Sequence, residues 1–109
     1  SWRLREVRQL SLDGVVLSIV DATQLKAIKV VANQHFSMVS QSKDGLLPTA
    51  AAGRFAIDGQ QYQEWAELSA GDIAGVRSYQ WSLEDGIWRQ QWVHGQQMTE
   101  QVWQLVDTE

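Results

Sequence analysis

The stretch SYQWSLEDGIWRQQWVHG, residues 78–95, decides the fold. At its centre stands Asp85-Gly86, and an Asp-Gly pair between alternating apolar runs is a strong short-range hairpin signal. With those two residues as the turn, Glu84 faces Ile87, Leu83 faces Trp88, Trp81 faces Gln90, Tyr79 faces Trp92 and Arg77 faces His94. Tyr79, Trp81, Leu83, Trp88 and Trp92 then share one side, while Ser78, Gln80, Ser82, Arg89 and Gln91 share the other. A slip of one residue would set Trp88 against Ser82 and break that segregation, so the two-residue turn is the consistent reading.

Outward from this hairpin the same rhythm continues. Turn-prone pairs recur at Asp13-Gly14, Asn33-Gln34, Asp44-Gly45, Asp58-Gly59, Gly71-Asp72 and His94-Gly95, with runs of strand length between them. That spacing belongs to an antiparallel sandwich or barrel, not to βαβ units. Strands are expected at about 2–9, 14–20, 25–32, 35–42, 53–57, 61–68, 76–84, 87–94 and 98–106. Residues 15–32 also carry a helix-like spacing through Val16, Ile19, Val20 and Leu25, but their β-branched content favours strands. LLPTAAAG, residues 46–53, breaks the composition and reads as a loop crossing one end of the sheet. A two-residue turn at Asp58-Gly59 pairs Ile57 with Gln60 and Phe55 with Tyr62, giving a face of Phe55, Ile57, Tyr62, Ala66 and Leu68 that also holds Glu64.

Composition bounds what this face does. A chain of 109 residues is one domain, able to bury roughly 60–70% of the surface its unfolded form exposes. With no cysteine, disulfides and thiolate metal sites are excluded, and the compartment is left open. A net charge of −4 and an isoelectric point near 5.0 oppose a phosphate-binding surface, so no nucleic-acid partner is expected and Arg3, Arg5 and Arg8 read as a solvated strand face. The longest apolar runs, GVVLSIV and AIKVVA, are much shorter than a helical membrane span, so membrane insertion is not expected either.

The aromatic faces also carry Glu64, Arg77, Gln90 and His94, and buried polar groups are costly unless paired or hydrated. A closed barrel with a small cavity tolerates them better than a dry sandwich, because ligand pockets combine apolar walls with a few convergent polar groups. The candidate ligand-binding set is therefore Phe55, Tyr62, Glu64, Arg77, Tyr79, Trp81, Trp88, Trp92 and His94. In it Glu64 offsets the charge of Arg77, and His94 is available to a ligand oxygen; an ordinary buried ion pair is the structural alternative. His35, His94 and Glu64 lack an HxH or HxxxH spacing, so no metal site is expected, and no cofactor or catalytic residue is assigned. Trp65 shares the outer side with Gln63 and Glu67, where an exposed indole points to a homodimer contact.

A Trp in the opening SWRL, His35-Phe36, Gly53-Arg54-Phe55, Tyr62-Gln63-Glu64 and the closing Glu100-Gln101-Val102-Trp103 together resemble the bacterial lipocalin-like families of the calycin superfamily. The resemblance spans nearly the whole chain. It implies an all-β fold, an up-and-down antiparallel β-barrel of about eight to ten strands, with a small apolar molecule inside. Three functions fit: a binding module for such a molecule, a calycin-type isomerase or cyclase using an interior Glu or His, and a filled barrel that acts through its outer surface. The size of the interior and the state of Glu64 discriminate among them.

Overall fold

The computed structural model describes residues 1–43, 49–59, 61–70 and 75–106, apart from the side chains of residues 49, 69–70 and 75–77. Nine strands follow one another: β1 (Trp2–Ser11), β2 (Val16–Asp21), β3 (Leu25–Ala32), β4 (His35–Ser42), β5 (Thr49–Asp58), β6 (Gln61–Ala70), β7 (Gly75–Glu84), β8 (Ile87–His94) and β9 (Gln97–Leu105). No helix occurs among the described residues, and each pairing is antiparallel. The sheet closes because β1 has partners on both edges. Along one edge it pairs β9 from Trp2↔Leu105 to Ser11↔Gln97. Along the other it pairs β3 at Trp2↔Lys29 and Arg3↔Ile28, then β2 from Glu6↔Asp21 to Leu10↔Val16. Eight strands thus form the ring, and β2 is an arm on β1 beyond the point where β3 diverges.

The central hairpin has the expected register from Gln80↔Gln91 through Leu83↔Trp88 to Glu84↔Ile87. Asp85 and Gly86 both have positive φ, 53° and 76°, which two-residue turns of this kind demand. Asn33 and Gln34 form a matching turn with φ of 53° and 67°, and β3 and β4 pair from Leu25↔Ser42 to Ala32↔His35. Tyr79 and Trp92 meet through their rings, T-shaped with centroids 5.1 Å apart.

Three expectations are corrected. Asp58 pairs with Gln61, so the β5–β6 turn begins one residue later, at Gly59, whose φ of 62° suits glycine. Ile57 therefore opposes Tyr62 and Phe55 opposes Glu64, which keeps the faces but slides the partners by two. Second, residues 49–53 are not loop: β5 begins at Thr49, and only 44–48 of that segment lie outside the described residues. Third, Leu68 is 74% exposed instead of facing inward. A bulge between Ala52 and Gly53 puts Glu67 out of register and reverses the alternation beyond it. Gly53 makes that bulge possible, since a Cβ there would lie 1.8 Å from the Trp65 carbonyl oxygen.

Inside the ring, Leu4, Ala27, Tyr62, Tyr79, Trp88 and Trp103 form the buried core, with Trp2, Leu25, Val31, Met38, Phe55, Trp81 and Trp92 packed against it. The rings run as a chain through the interior: Trp2 on Trp88 at 5.2 Å, Trp88 on Tyr62 at 5.2 Å, and Tyr62 on both Phe55 and Tyr79 at 5.7 and 5.9 Å. Such contacts add to the burial of large apolar area.

Candidate functional site

Halfway along the interior the aromatic lining is interrupted by a lysine. Alternation along β3 turns Leu25, Ala27, Lys29 and Val31 inward, so Lys29 enters the core and is 3% exposed. Its Nζ donates to Glu64 Oε2 at 2.7 Å and to Gln90 Oε1 at 3.1 Å. Four rings surround the ammonium, with centroids 5.8, 5.9, 5.3 and 4.9 Å away for Tyr62, Tyr79, Trp88 and Trp103. Each ring face is attractive to a cation within about 6 Å, so the cage offsets part of what burial costs the charge. Tyr62 completes the cluster by donating its hydroxyl to Glu64 Oε2 at 2.7 Å. Burial, followed by the adjacent Glu64 carboxylate, pushes the Tyr62 pKa well above its ordinary value.

Two interior N–H groups have no protein partner among the described residues, Trp88 Nε1 and Gln90 Nε2. Both belong to β8, two residues apart on its inward face, and both side chains are buried, Gln90 completely. Since buried donors are nearly always satisfied in folded proteins, the pair marks a position with unused recognition capacity.

The cluster separates two spaces. At the end carrying the β3–β4, β5–β6 and β7–β8 turns lies an apolar bowl of about 210 Å³, walled by Trp2, Val31, Phe55, Tyr62, Trp81 and Trp88, with Ile57 and Leu83 at its rim. Trp81 is fixed there by donating Nε1 to the Gly59 carbonyl at 3.1 Å. Toward the opposite end lies a chamber of about 140 Å³, whose lining includes Leu4, Ala27, Phe36 and Met38 together with Lys29, Glu64 and Gln101. A third space, about 660 Å³, is lined by Arg54, Phe55, Ala56, Ile57, Trp65 and Gln34. Consecutive residues of β5 point to opposite faces, so this one straddles the rim of the sheet and encloses nothing.

Of the sequence-predicted residues, Tyr62, Glu64, Tyr79 and Trp88 converge in the interior, and Phe55 and Trp81 wall the bowl. Trp92 is half-buried against Tyr79 at the far end. His94 stands apart from the cluster: it is exposed, and its Nε2 lies 2.7 Å from Thr99 Oγ1, which in turn donates to Gln9 Oε1 at 2.9 Å. With the hydroxyl proton committed to Gln9, Nε2 is the donor to Thr99. The Arg77 backbone pairs with Glu64, but its side chain lies outside the described residues, and the cation on Glu64 is Lys29. Trp65 is half-buried on the outer side beside Arg54, less exposed than its place among Gln63 and Glu67 implies.

Sequence reasoning missed Lys29, Trp2 and Trp103. The signal for Lys29 was present, a lysine in step with Leu25, Ala27 and Val31, but Ile28 and Val30 make the other face of β3 equally apolar and conceal which side is inward. Compared with known proteins, the chain matches no family model, no curated protein and no solved structure.

Proposed function

We propose that the ring is an up-and-down β-barrel of the lipocalin-like kind and that it binds a small apolar or amphipathic molecule in the bowl. The observation that carries this is the bowl itself: about 210 Å³ of aromatic and aliphatic wall at one mouth of the ring, floored by side chains already engaged with one another. A dry apolar cavity of about 150 Å³ is enough to hold benzene, so a single-ring or short-chain molecule fits this volume. Binding is favoured over acid-base turnover because the interior carboxylate, Glu64, is held by both Lys29 and Tyr62. The homodimer contact is a separate proposal. It rests on Trp65 and is tested by light scattering, in which concentration-dependent dimerisation supports it and a monomer at millimolar concentration rejects it.

Titration with toluene, followed by tryptophan emission, tests the bowl. Saturable quenching or a blue shift is expected, and it should disappear in Val31→Phe, which fills the bowl while leaving the Lys29 cluster in place. An unresponsive wild type, or a response that persists unchanged in Val31→Phe, overturns the reading.

A further inference from the structure

The bowl's floor also specifies the chemistry of what binds above it, an inference that rests on the binding reading just given. Three features converge on one class of head group. First, the charges within the cluster cancel: the ammonium of Lys29 faces the carboxylate of Glu64 at 2.7 Å, and Tyr62 spends its proton on the same oxygen. A ligand carrying a net charge would find no unmatched counterion there and would bear its full desolvation cost. Second, the aromatic cage that might attract a cationic ligand is already filled by the protein's own ammonium, 4.9–5.9 Å from four ring centres. Third, the two unused polar atoms beside the cluster, Trp88 Nε1 and Gln90 Nε2, are both donors, and neither belongs to an ionised group. Trp88 is also a wall of the bowl, and its ring centre lies 5.3 Å from Lys29 Nζ.

We propose that the ligand is an uncharged molecule with an apolar body and a hydrogen-bond acceptor head, a carbonyl or ether oxygen, seated on the donors of Trp88 and Gln90. Ketones, aldehydes, lactones and quinones of single-ring size belong to this class. Carboxylates, amines and plain hydrocarbons of the same size are the disfavoured comparators: the first two for their charge, the third because it leaves the donors unsatisfied.

The test compares probes of nearly equal shape on the wild-type protein: acetophenone, ethylbenzene, benzoate and benzylamine, titrated by calorimetry and by the indole N–H resonance of Trp88. Acetophenone is expected to bind roughly five- to tenfold more tightly than ethylbenzene, the scale of one buried hydrogen bond between uncharged groups. Benzoate and benzylamine should bind more weakly than either, and only acetophenone should move the Trp88 N–H resonance strongly downfield. Trp88→Phe removes the donor and should bring acetophenone and ethylbenzene to within about twofold of each other. Equal wild-type affinity for acetophenone and ethylbenzene, with the indole proton unmoved, overturns the head-group inference while leaving the bowl as a binding site. Tightest binding by benzoate or benzylamine also overturns it. If none of the four binds, the binding reading itself fails and this inference with it. The resonance shift is read on the wild type, so the outcome does not depend on the variant folding.

Discussion

The interior of the ring and the β2 arm invert the usual distribution of side chains. In the interior, a lysine, a glutamate and a glutamine are 3%, 7% and 0% exposed. On the arm and its turn, Leu12, Val15, Leu17 and Ile19 are 51–59% exposed. The difference lies in what each region closes against. Interior polar groups have partners on four strands, since Lys29, Glu64 and Gln90 come from β3, β6 and β8 and the surrounding rings add β7 and β9. The described partner of β2 is β1 alone, so its alternation has no second layer to bury. A side chain's polarity therefore says little about its burial here; its place in or outside the ring says more.

This contrast is broken most severely at Glu64. Glu64→Ala leaves the Lys29 ammonium unpaired in the core and should cost about 3–5 kcal/mol, read by urea denaturation. Replacing both partners, Lys29→Met with Glu64→Leu, should recover most of that loss, because an apolar pair of similar volume avoids the desolvation of two charges. If the double variant is no more stable than Glu64→Ala, the pair is a structural requirement in its own right. Next in size is Gly53→Ala, which drives a methyl into the Trp65 carbonyl and should destabilise by about 1–3 kcal/mol, measured in the same way.

A smaller effect is a matter of pH. Burial and the Glu64 carboxylate raise the Tyr62 pKa above its ordinary value of 10.0, so the folded chain holds that proton more tightly than the unfolded chain. The resulting stability is complete below pH 10 and is lost as pH rises beyond it. Alkaline titration of the melting temperature should fall more steeply in wild type than in Tyr62→Phe, and parallel curves would contradict the assignment. The smallest change belongs to the arm: Leu17→Thr and Ile19→Thr should each shift stability by no more than about 0.5 kcal/mol. A loss comparable to the Glu64 variant would show that β2 is buried in solution.

The limits of sequence reading follow the same division. The hairpin around Asp85-Gly86 was legible because its tryptophans sit on one face and its outward residues are Ser, Gln and Arg, so one register alone segregates them. The β5–β6 turn was not, because a slide of two residues preserves which side chains face inward and only the backbone conformation at Gly59 decides between the alternatives. Leu68 was misassigned since alternation cannot foresee a bulge, although Gly53 within a strand-like run is the sort of residue that marks one. The polar character of the interior was recognised through Glu64 and Gln90, and the partner was misjudged. Arg77 is adjacent to Glu64 in the ladder, whereas Lys29 reaches it from across the ring, a contact that only closure creates.

The central claim, that the bowl and not the outer surface receives the ligand, is tested most directly by assigned indole N–H resonances of the six tryptophans during titration with ethylbenzene. Trp2, Trp81 and Trp88 wall the bowl, while Trp65 lines the rim depression outside it. The account predicts saturable shifts at Trp2, Trp81 and Trp88 with Trp65 unmoved; shifts confined to Trp65, or none at the three bowl residues at saturating probe, would contradict it.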